Sequence, residues 1–476
     1  MVNQTEIKRN ENIIDEDVQR VHRELDLLLK VGCYLMDCSA DTTMIVRNMH
    51  RVEAYLGLEK KYLHVYINYN VIMVNYFHNG VSYNKFRKCY KHAIDMAAIT
   101  RISHLTWAAI RHNYSLERYD KELDECFNKK RYWSHWQVAI GAGFACGGFC
   151  IQFGGDWPAF FYASIAAILG FRFKMYLATK GANTYIGICV ASFLSTIIAW
   201  LCSFLTPGSE FASMVPEFML TDTPFRPFLA CALFIVPGVP LINFVNDMLS
   251  GHIQTGWVRA LNTLLMIIAM VFGISFAIKI CGVTNFVKDL SMTPHHNYIE
   301  FAIAAAISAI GFSTIFNTPK RLFPMIALGG IIAVCSRNFV YLGPSNGNIG
   351  LDQGIIVGSL VGSSLISLVC TIAMHRVHTP HQCLSVPSVI PMVPGVLMYR
   401  ALFAFVGMQG EVGEVTFGMH NFMRASLVIM VIAIGVAIPQ IFVRNMTQSK
   451  RKLKLYKLLL QRRHVYATDK DINLVE

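Results

Sequence analysis

The chain has 476 residues, of which 54% are hydrophobic and only 15% charged, with a mean hydropathy of +0.42. Ordinary soluble proteins carry about 25% charged residues, so this balance excludes a purely soluble globular protein and points to a membrane. The net charge of +12 would suit a nucleic acid, but the excess bases sit beside apolar runs and in the C-terminal tail, where membrane orientation accounts for them better.

Residues 1–132 are polar and charged, with no apolar secretory segment behind Met1, so this part is expected to stay in the cytosol. Val18, Val21, Leu25, Leu28, Gly32 and Leu35 recur at helical spacing and predict an amphipathic helix over Glu16–Met36. Ser39 is the candidate N-cap of a second helix, whose apolar face is Ile45, Met49, Val52 and Leu56 and which Gly57 stops. Asp41, Thr42 and Thr43 could hold a polar ligand, but a helix N-terminus is the simpler reading. The stretch HVYINYNVIMVNYFHNGVSYNKF is rich in β-branched and aromatic residues, and Asn79-Gly80 is a hairpin signal. Two or three short strands are therefore expected between Tyr62 and Arg87. Helices over Tyr90–Ile110 and Ser115–Lys130 complete a small α+β domain. Seven histidines lie here, His22, His50, His64, His78, His92, His104 and His112, and none pairs at metal-ligand spacing. The thirteen cysteines, an odd number without a Cys-x-x-Cys pair, read as reduced small hydrophobes.

A membrane-crossing helix needs about 20 mostly apolar residues, and the chain offers ten candidates. The first five are Ser134–Phe153, Trp157–Phe173, Ala182–Leu205, Phe228–Asn246 and Gly256–Ile280. The second five are Tyr298–Phe316, Leu322–Leu342, Gln353–Met374, Leu384–Phe405 and Phe422–Val443. Loop charges fit this count with both termini in the cytosol. RFKMYLATKG, TPKR, HRVHTPHQ and the tail from Arg444, with nine Lys or Arg, fall inside; the acidic segment Thr206–Pro227, GPSNGNIGLD and MQGEVGEVTFG fall outside.

Two stretches interrupt this pattern in the same way. FIVPGVPLINFVND, from Phe234 to Asp247, and IPMVPGVLMYRALF, from Ile390 to Phe403, carry Val-Pro-Gly-Val 157 residues apart. Both lie in the fourth span of a five-span set. Five is odd, so the second set starts from the opposite face, which is an inverted repeat of the kind found in secondary transporters. Proline removes an amide hydrogen and clashes one turn back, and freed backbone groups are tolerated at membrane depth only beside protein or a wet cavity. The restarted half-helix offers a partly positive N-terminus suited to a carboxylate. The expected fold is mainly α, with ten transmembrane helices as two inverted five-helix repeats behind an α+β cytosolic domain. The expected domains are 1–132 (cytosolic), 133–281 and 297–443 (the repeats) and 444–476 (a basic cytosolic tail).

Polar residues beside the breaks are candidates for the site. Asn243 follows Pro237 by six residues, and Arg400 follows Pro394 by six, roughly 9 Å along a helix. Asn246 and Asp247 close the fourth span. Intramembrane charge is costly and is by default a functional hypothesis, although Arg400 could snorkel outward and Asp247 could cap its span. Arg337 lies toward the outer end of the seventh span; Arg259 and Arg424 read as interface anchors, and Asp352 as a surface residue. GAGFACGGF and GSLVGSS allow close helix packing. No Gly-rich phosphate loop ends in Lys-Ser/Thr, so ATP is not an evident energy source.

The chain resembles the threonine/serine exporter family over nearly its whole length. CSADTTMIVRNMHRVEAYLGL (Cys38–Leu58) resembles the family's opening motif and IDMAAITRIS (Ile94–Ser103) its motif before the first span. VPGVPLINFVNDMLSGH (Val236–His252) is the closest match, with VPGVLMYR its second-half counterpart. The family carries an Arg and a Glu where this chain has Met44 and Val46, and a Gly where it has Ser39, so the resemblance brings no polar function to that first helix. It implies a multi-pass protein of the bacterial inner membrane that exports threonine and serine, driven by the proton gradient; no cofactor or metal is expected. A two-subunit relative is associated with succinate export, and a dicarboxylate would want two cations, Arg400 being one. On this reading Pro237, Gly238, Asn243, Asp247, Pro394, Gly395 and Arg400 bind substrate, and Asp247 or His252 carries the exchanged proton. Rival readings are a membrane-anchored enzyme or sensor that acts through the N-terminal domain, for which no nucleophile–base pair is present, and a passive channel. The sequence leaves a homo-oligomer open.

Overall fold

The structure is a computed structural model that describes residues 4–283, 296–344, 348–406 and 412–463. Residues 345–347 and 407–411 of two loops expected outside, and 464–476 of the expected basic tail, lie outside the described residues. Among the described residues the chain is mainly helical with one small sheet, and it divides into two compact units.

The first unit comprises Met1–Lys130, Asp247–Thr255 and Arg444–Glu476. Helix α1 (Gln4–Asp37) starts earlier than its apolar periodicity predicts and buries Val21, Leu25, Leu28 and Leu35. Helix α2 (Thr42–Leu56) ends as expected at Gly57, whose φ of 76° satisfies the last turn. Its N-cap is Asp41 rather than Ser39. Ser39 has a φ of 62°, outside the extended region a cap requires, and its hydroxyl donates to the His92 carbonyl, while the Asp41 carboxylate accepts the Met44 amide. Strands β1 (Leu63–Ile67), β2 (Val71–His78) and β3 (Val81–Lys88) form an antiparallel meander. Asn79 and Gly80, both at positive φ, make the hairpin that pairs His78 with Val81. Helix α3 (Met96–Arg111) starts six residues later than predicted. The Tyr90 and Lys91 amides donate to the Asp37 carboxylate, which keeps that segment extended until Asp95 caps the helix. Helix α4 (Leu116–Asn128), capped by Ser115, closes the domain and brings Asp120 and Asp124 onto Lys30, each at 2.7 Å.

The second unit comprises Arg131–Asn246 and Gly256–Val443. Its helices are α5 (His135–Gln152), α6 (Trp157–Thr179), α7 (Thr184–Ser203), the short α8 (Arg226–Ala230), α9 (Gly238–Leu249, which runs on into the first unit) and α10 (Ile253–Ile280). Next come α11 (Tyr298–Ile315), α12 (Phe323–Tyr341), α13 (Gly354–Val377), α14 (His381–Val389), α15 (Gly395–Val406) and α16 (Val412–Arg463). Among the described residues seven helices are long and apolar enough to cross a membrane: α6, α7, α10, α11, α12, α13 and the first part of α16. An eighth is present if the bent pair Arg226–Ile235 and Gly238–Leu249 counts as one crossing. The remaining predicted spans fall on α5 and on α14 with α15, which are helical but outside that set.

The two halves of this unit pack in the same order. Helices α5, α6 and α7 touch in sequence, and so do α11, α12 and α13. The short α8 packs on α6 and α7; correspondingly, α14 packs on α12 and α13. Even the starts match, because α5 opens on a Ser134/Gln137 capping box and α11 on an Asn297/Glu300 one. Helices α5 and α11 lie against each other across the halves, and glycine allows it: a Cβ at Gly311 would lie 2.4 Å from the Gly141 carbonyl oxygen. The segment before α5 is pinned to the far end of α11, where Tyr132 donates to Asn317 and the Trp133 indole to the Thr318 carbonyl.

Candidate functional site

The predicted breaks have one backbone solution, used twice. A 3₁₀ turn, Leu233–Ile235 or Ile390–Met392, leads into Val236 or Val393, and both valines are extended, with ψ of 117° and 130°. The Gly238 amide then donates to the Val236 carbonyl at 2.8 Å, and the Gly395 amide to the Val393 carbonyl at 2.8 Å. Helices α9 and α15 restart there, 59° off the preceding axis in the first case. The cause is local: Pro237 and Pro394 cannot donate to the preceding turn, and glycine lets the neighbouring chain approach.

The breaks also meet each other. A Cβ on Gly238 would fall 2.2 Å from Ile390 Cδ1, and one on Gly395 would fall 2.6 Å from Leu233 Cδ2. Leu233 and Ile390 occupy the same place in the two sequences, as do Gly238 and Gly395. Each glycine thus receives the residue five positions before its counterpart. Pro237, Gly238, Pro394 and Gly395 are all buried or half-buried.

The polar candidates separate. Asn243 is 1% exposed and accepts a 2.9 Å bond from the amide of Gln382, itself 7% exposed. Arg400, its positional match, is half-buried and within electrostatic reach of Arg226 at the start of α8. Arg337, whose Nε donates to Asn338 at 3.1 Å, reaches the Met392 carbonyl at 3.5 Å, just before the second break. Asp247 groups instead with the first unit, where it is fully buried and its Oδ1 accepts the amide of Thr42 at 2.9 Å. A carboxylate on the first amide of α2 is favoured by the orphan donors and the dipole there. The same segment is held by Thr255, which donates to the Ile67 carbonyl at 3.0 Å, and by Gln254, which accepts from Tyr66. His252 is half-buried, and its amide closes the turn onto the Asp247 carbonyl. Arg259, expected at an interface, is 2% exposed.

Sequence reasoning missed His381 and Gln382. They lie in HRVHTPHQ, which charge assigns to a loop, but α14 begins at His381, three residues before the predicted span. His381 is 4% exposed; its Nδ1 lies 3.2 Å from the Ser385 hydroxyl, and its Nε2 lies 3.3 Å from the Ser367 hydroxyl and 3.2 Å from the Ser367 carbonyl. A polar residue at the mouth of a Pro-interrupted span was the available signal. Among the described residues no group of three or more His, Cys, Asp or Glu could hold a metal ion.

Two family models, both described as threonine/serine exporter, match residues 26–281 and 301–442. The chain is 27% identical over 261 residues to the Escherichia coli protein named "Probable succinate transporter subunit YjjP", a match that covers 55% of this chain and 96% of that one. It is 20% identical over 409 residues to the protein of Corynebacterium glutamicum named "Threonine/serine exporter", covering 83% of this chain and 78% of that one. A third relative, named "Probable threonine/serine exporter", comes from Mycobacterium tuberculosis and is 20% identical over 320 residues, covering 65% of this chain and 56% of that one. No solved structure matches the chain.

Proposed function

This chain belongs to the threonine/serine exporter family, and from that premise we propose that it exports threonine and serine in exchange for protons. The protein is a multi-pass membrane transporter by family and by its apolar helices. The finer reading is ten spans in two inverted repeats, with domains at 1–132, 133–281, 297–443 and 444–476, both termini in the cytosol and the chain in the inner membrane. In its favour are the matched packing order of the halves and the reciprocal seating of Gly238 on Ile390 and Gly395 on Leu233. That seating is the observation that carries the site: paired broken helices that meet are where transporters hold solute.

In this site the α9 and α15 N-termini and Arg400 take the substrate carboxylate, and Asn243 with Gln382 takes its hydroxyl or ammonium. A second reading rests on two half-buried guanidiniums, Arg226 and Arg400, within electrostatic reach of each other: such a pair suits a dianion such as succinate. Vesicles carrying the purified chain, loaded with radiolabelled threonine or succinate, separate the two. Threonine counterflow without succinate counterflow supports the first reading, the converse supports the second, and movement of neither overturns both.

A further inference from the structure

We propose that Arg337, with the amide of Asn338 beside it, is a further carboxylate-binding point of the solute path, seated at the second break. This rests on the reading above that the breaks hold solute. Sequence position alone puts Arg337 toward the outer end of its helix, where an interface anchor is the simple expectation. The structure ties its guanidinium to the break instead. Nε donates to Asn338 Oδ1 at 3.1 Å, and Nη1 reaches the Met392 carbonyl at 3.5 Å, just before Val393 and Pro394.

The small residues of GSLVGSS on α13 make that position possible. A Cβ at Gly358 would lie 2.6 Å from the Arg337 carbonyl oxygen. One at Gly362 would lie 3.3 Å from Arg337 Cβ and 3.0 Å from Met392 Sδ. Gly362 therefore packs on α12 and on the break at once, and a side chain there would push them apart.

The donors gathered here lack an anion. Both partners of the guanidinium are neutral oxygens, and it carries more N–H groups than these bonds use. The titratable groups within its electrostatic reach are Tyr341 and Cys335, and neither is a carboxylate. Asn338 is a second, independent sign. It is 1% exposed, and the bond from Arg337 Nε to Oδ1 fixes which way its amide points. Its Nδ2 is buried and has no hydrogen-bond partner among the described residues. A buried donor left unmade is costly, and so is an unbalanced charge on a helix long and apolar enough to cross a membrane. Each calls for an acceptor, and the guanidinium calls for a charged one. The N-terminus of α15, which restarts at Gly395, has the same preference. The two oxygens of a carboxylate answer all three needs, whereas a cation or an apolar solute answers none. A lipid phosphate reaching in from the outer interface offers the same chemistry, and the test separates the two sources.

The test uses the full chain, labelled with ¹⁵N-arginine, in nanodiscs of zwitterionic lipid. The Nε–H resonance lost in Arg337→Lys identifies Arg337. Sodium acetate and threonine should each move that resonance, and acetamide should leave it in place. Binding of radiolabelled threonine should weaken by about 10- to 150-fold in Arg337→Gln. The preference for threonine over threoninamide, read by competition, should fall by a similar factor, which a mere packing defect would not produce. A wild type that neither binds nor exchanges threonine overturns the threonine reading, and the acetate titration then judges Arg337 alone. A resonance that acetate leaves in place, or that moves only when anionic lipid is added, overturns the proposal. So does a preference for threonine that Arg337→Gln leaves unchanged.

Discussion

The first break, Val236–Gly238, and the second, Val393–Gly395, share a backbone path and differ in the side chains one to two turns beyond it. Both leave a 3₁₀ turn through an extended valine, and both return the glycine amide to the valine carbonyl at 2.8 Å. Six residues on from the prolines, however, the first carries a buried Asn243 paired to Gln382 and the second a half-buried Arg400 within electrostatic reach of Arg226. The backbone path is shared, and the side chain six residues beyond it is a neutral amide in one half and a guanidinium in the other.

The largest effect should come from disturbing what the halves share. Gly238→Ala and Gly395→Ala should each cost about 1–3 kcal/mol through overpacking. Ile390→Val should rescue the first only and Leu233→Val the second only, as read by thermal unfolding and threonine exchange of the purified chain. Rescue in the crossed combinations would contradict the reciprocal pairing of Gly238 with Ile390 and Gly395 with Leu233. The difference between the halves is sharpened next by Arg400→Gln against Asn243→Ala. Loss of a charge-assisted bond, about 1.5–3 kcal/mol, should weaken threonine binding by about 10- to 150-fold, and loss of a neutral bond, about 0.5–1.5 kcal/mol, by about 2- to 13-fold. Equal losses would deny that the two matched positions differ in role.

Smaller effects are expected from the first unit. Asp247→Asn keeps an acceptor for the Thr42 amide but removes the charge from the α2 N-terminus, a loss of about 0.3–1 kcal/mol. Faster hydrogen exchange confined to the first turn of α2 would register it. Smaller still is Glu24, whose carboxyl is raised above its ordinary 4.5 by burial, against the opposing pull of Arg20. An acid raised on folding holds its proton more tightly in the folded state. Its contribution is therefore fully favourable below 4.5 and declines as pH rises through its folded value. Glu24→Gln should slow exchange in α1 of the full chain at pH 7, by an amount within about 0.5 kcal/mol, and change nothing well below 4.5.

The legible parts are those governed by local rules. The Val-Pro-Gly pairs, the Asn79-Gly80 turn and the Gly57 stop follow from backbone chemistry that one or two residues decide. The N-cap of α2 lies two residues beyond the expected Ser39 because that serine is drawn into a left-handed turn by the His92 carbonyl, 53 residues away in sequence. Asp247 reads as a span terminus because its partner, Thr42, lies 205 residues earlier. His381 and Gln382 are hidden by the charge of their own loop, since hydropathy places a boundary where apolar residues begin, whereas the helix begins where Pro380 permits. Side chains that meet across the halves leave no periodic trace in either.

The most direct test of the central claim, that the two breaks meet and form the path of the solute, is a cross-link between them. Gly238→Cys with Ile390→Cys, in a chain freed of its reactive native cysteines, should be joined by a short thiol-specific reagent, and joining should stop threonine exchange until the link is cleaved. Failure of the pair to join, or full exchange in the joined protein, would contradict the account.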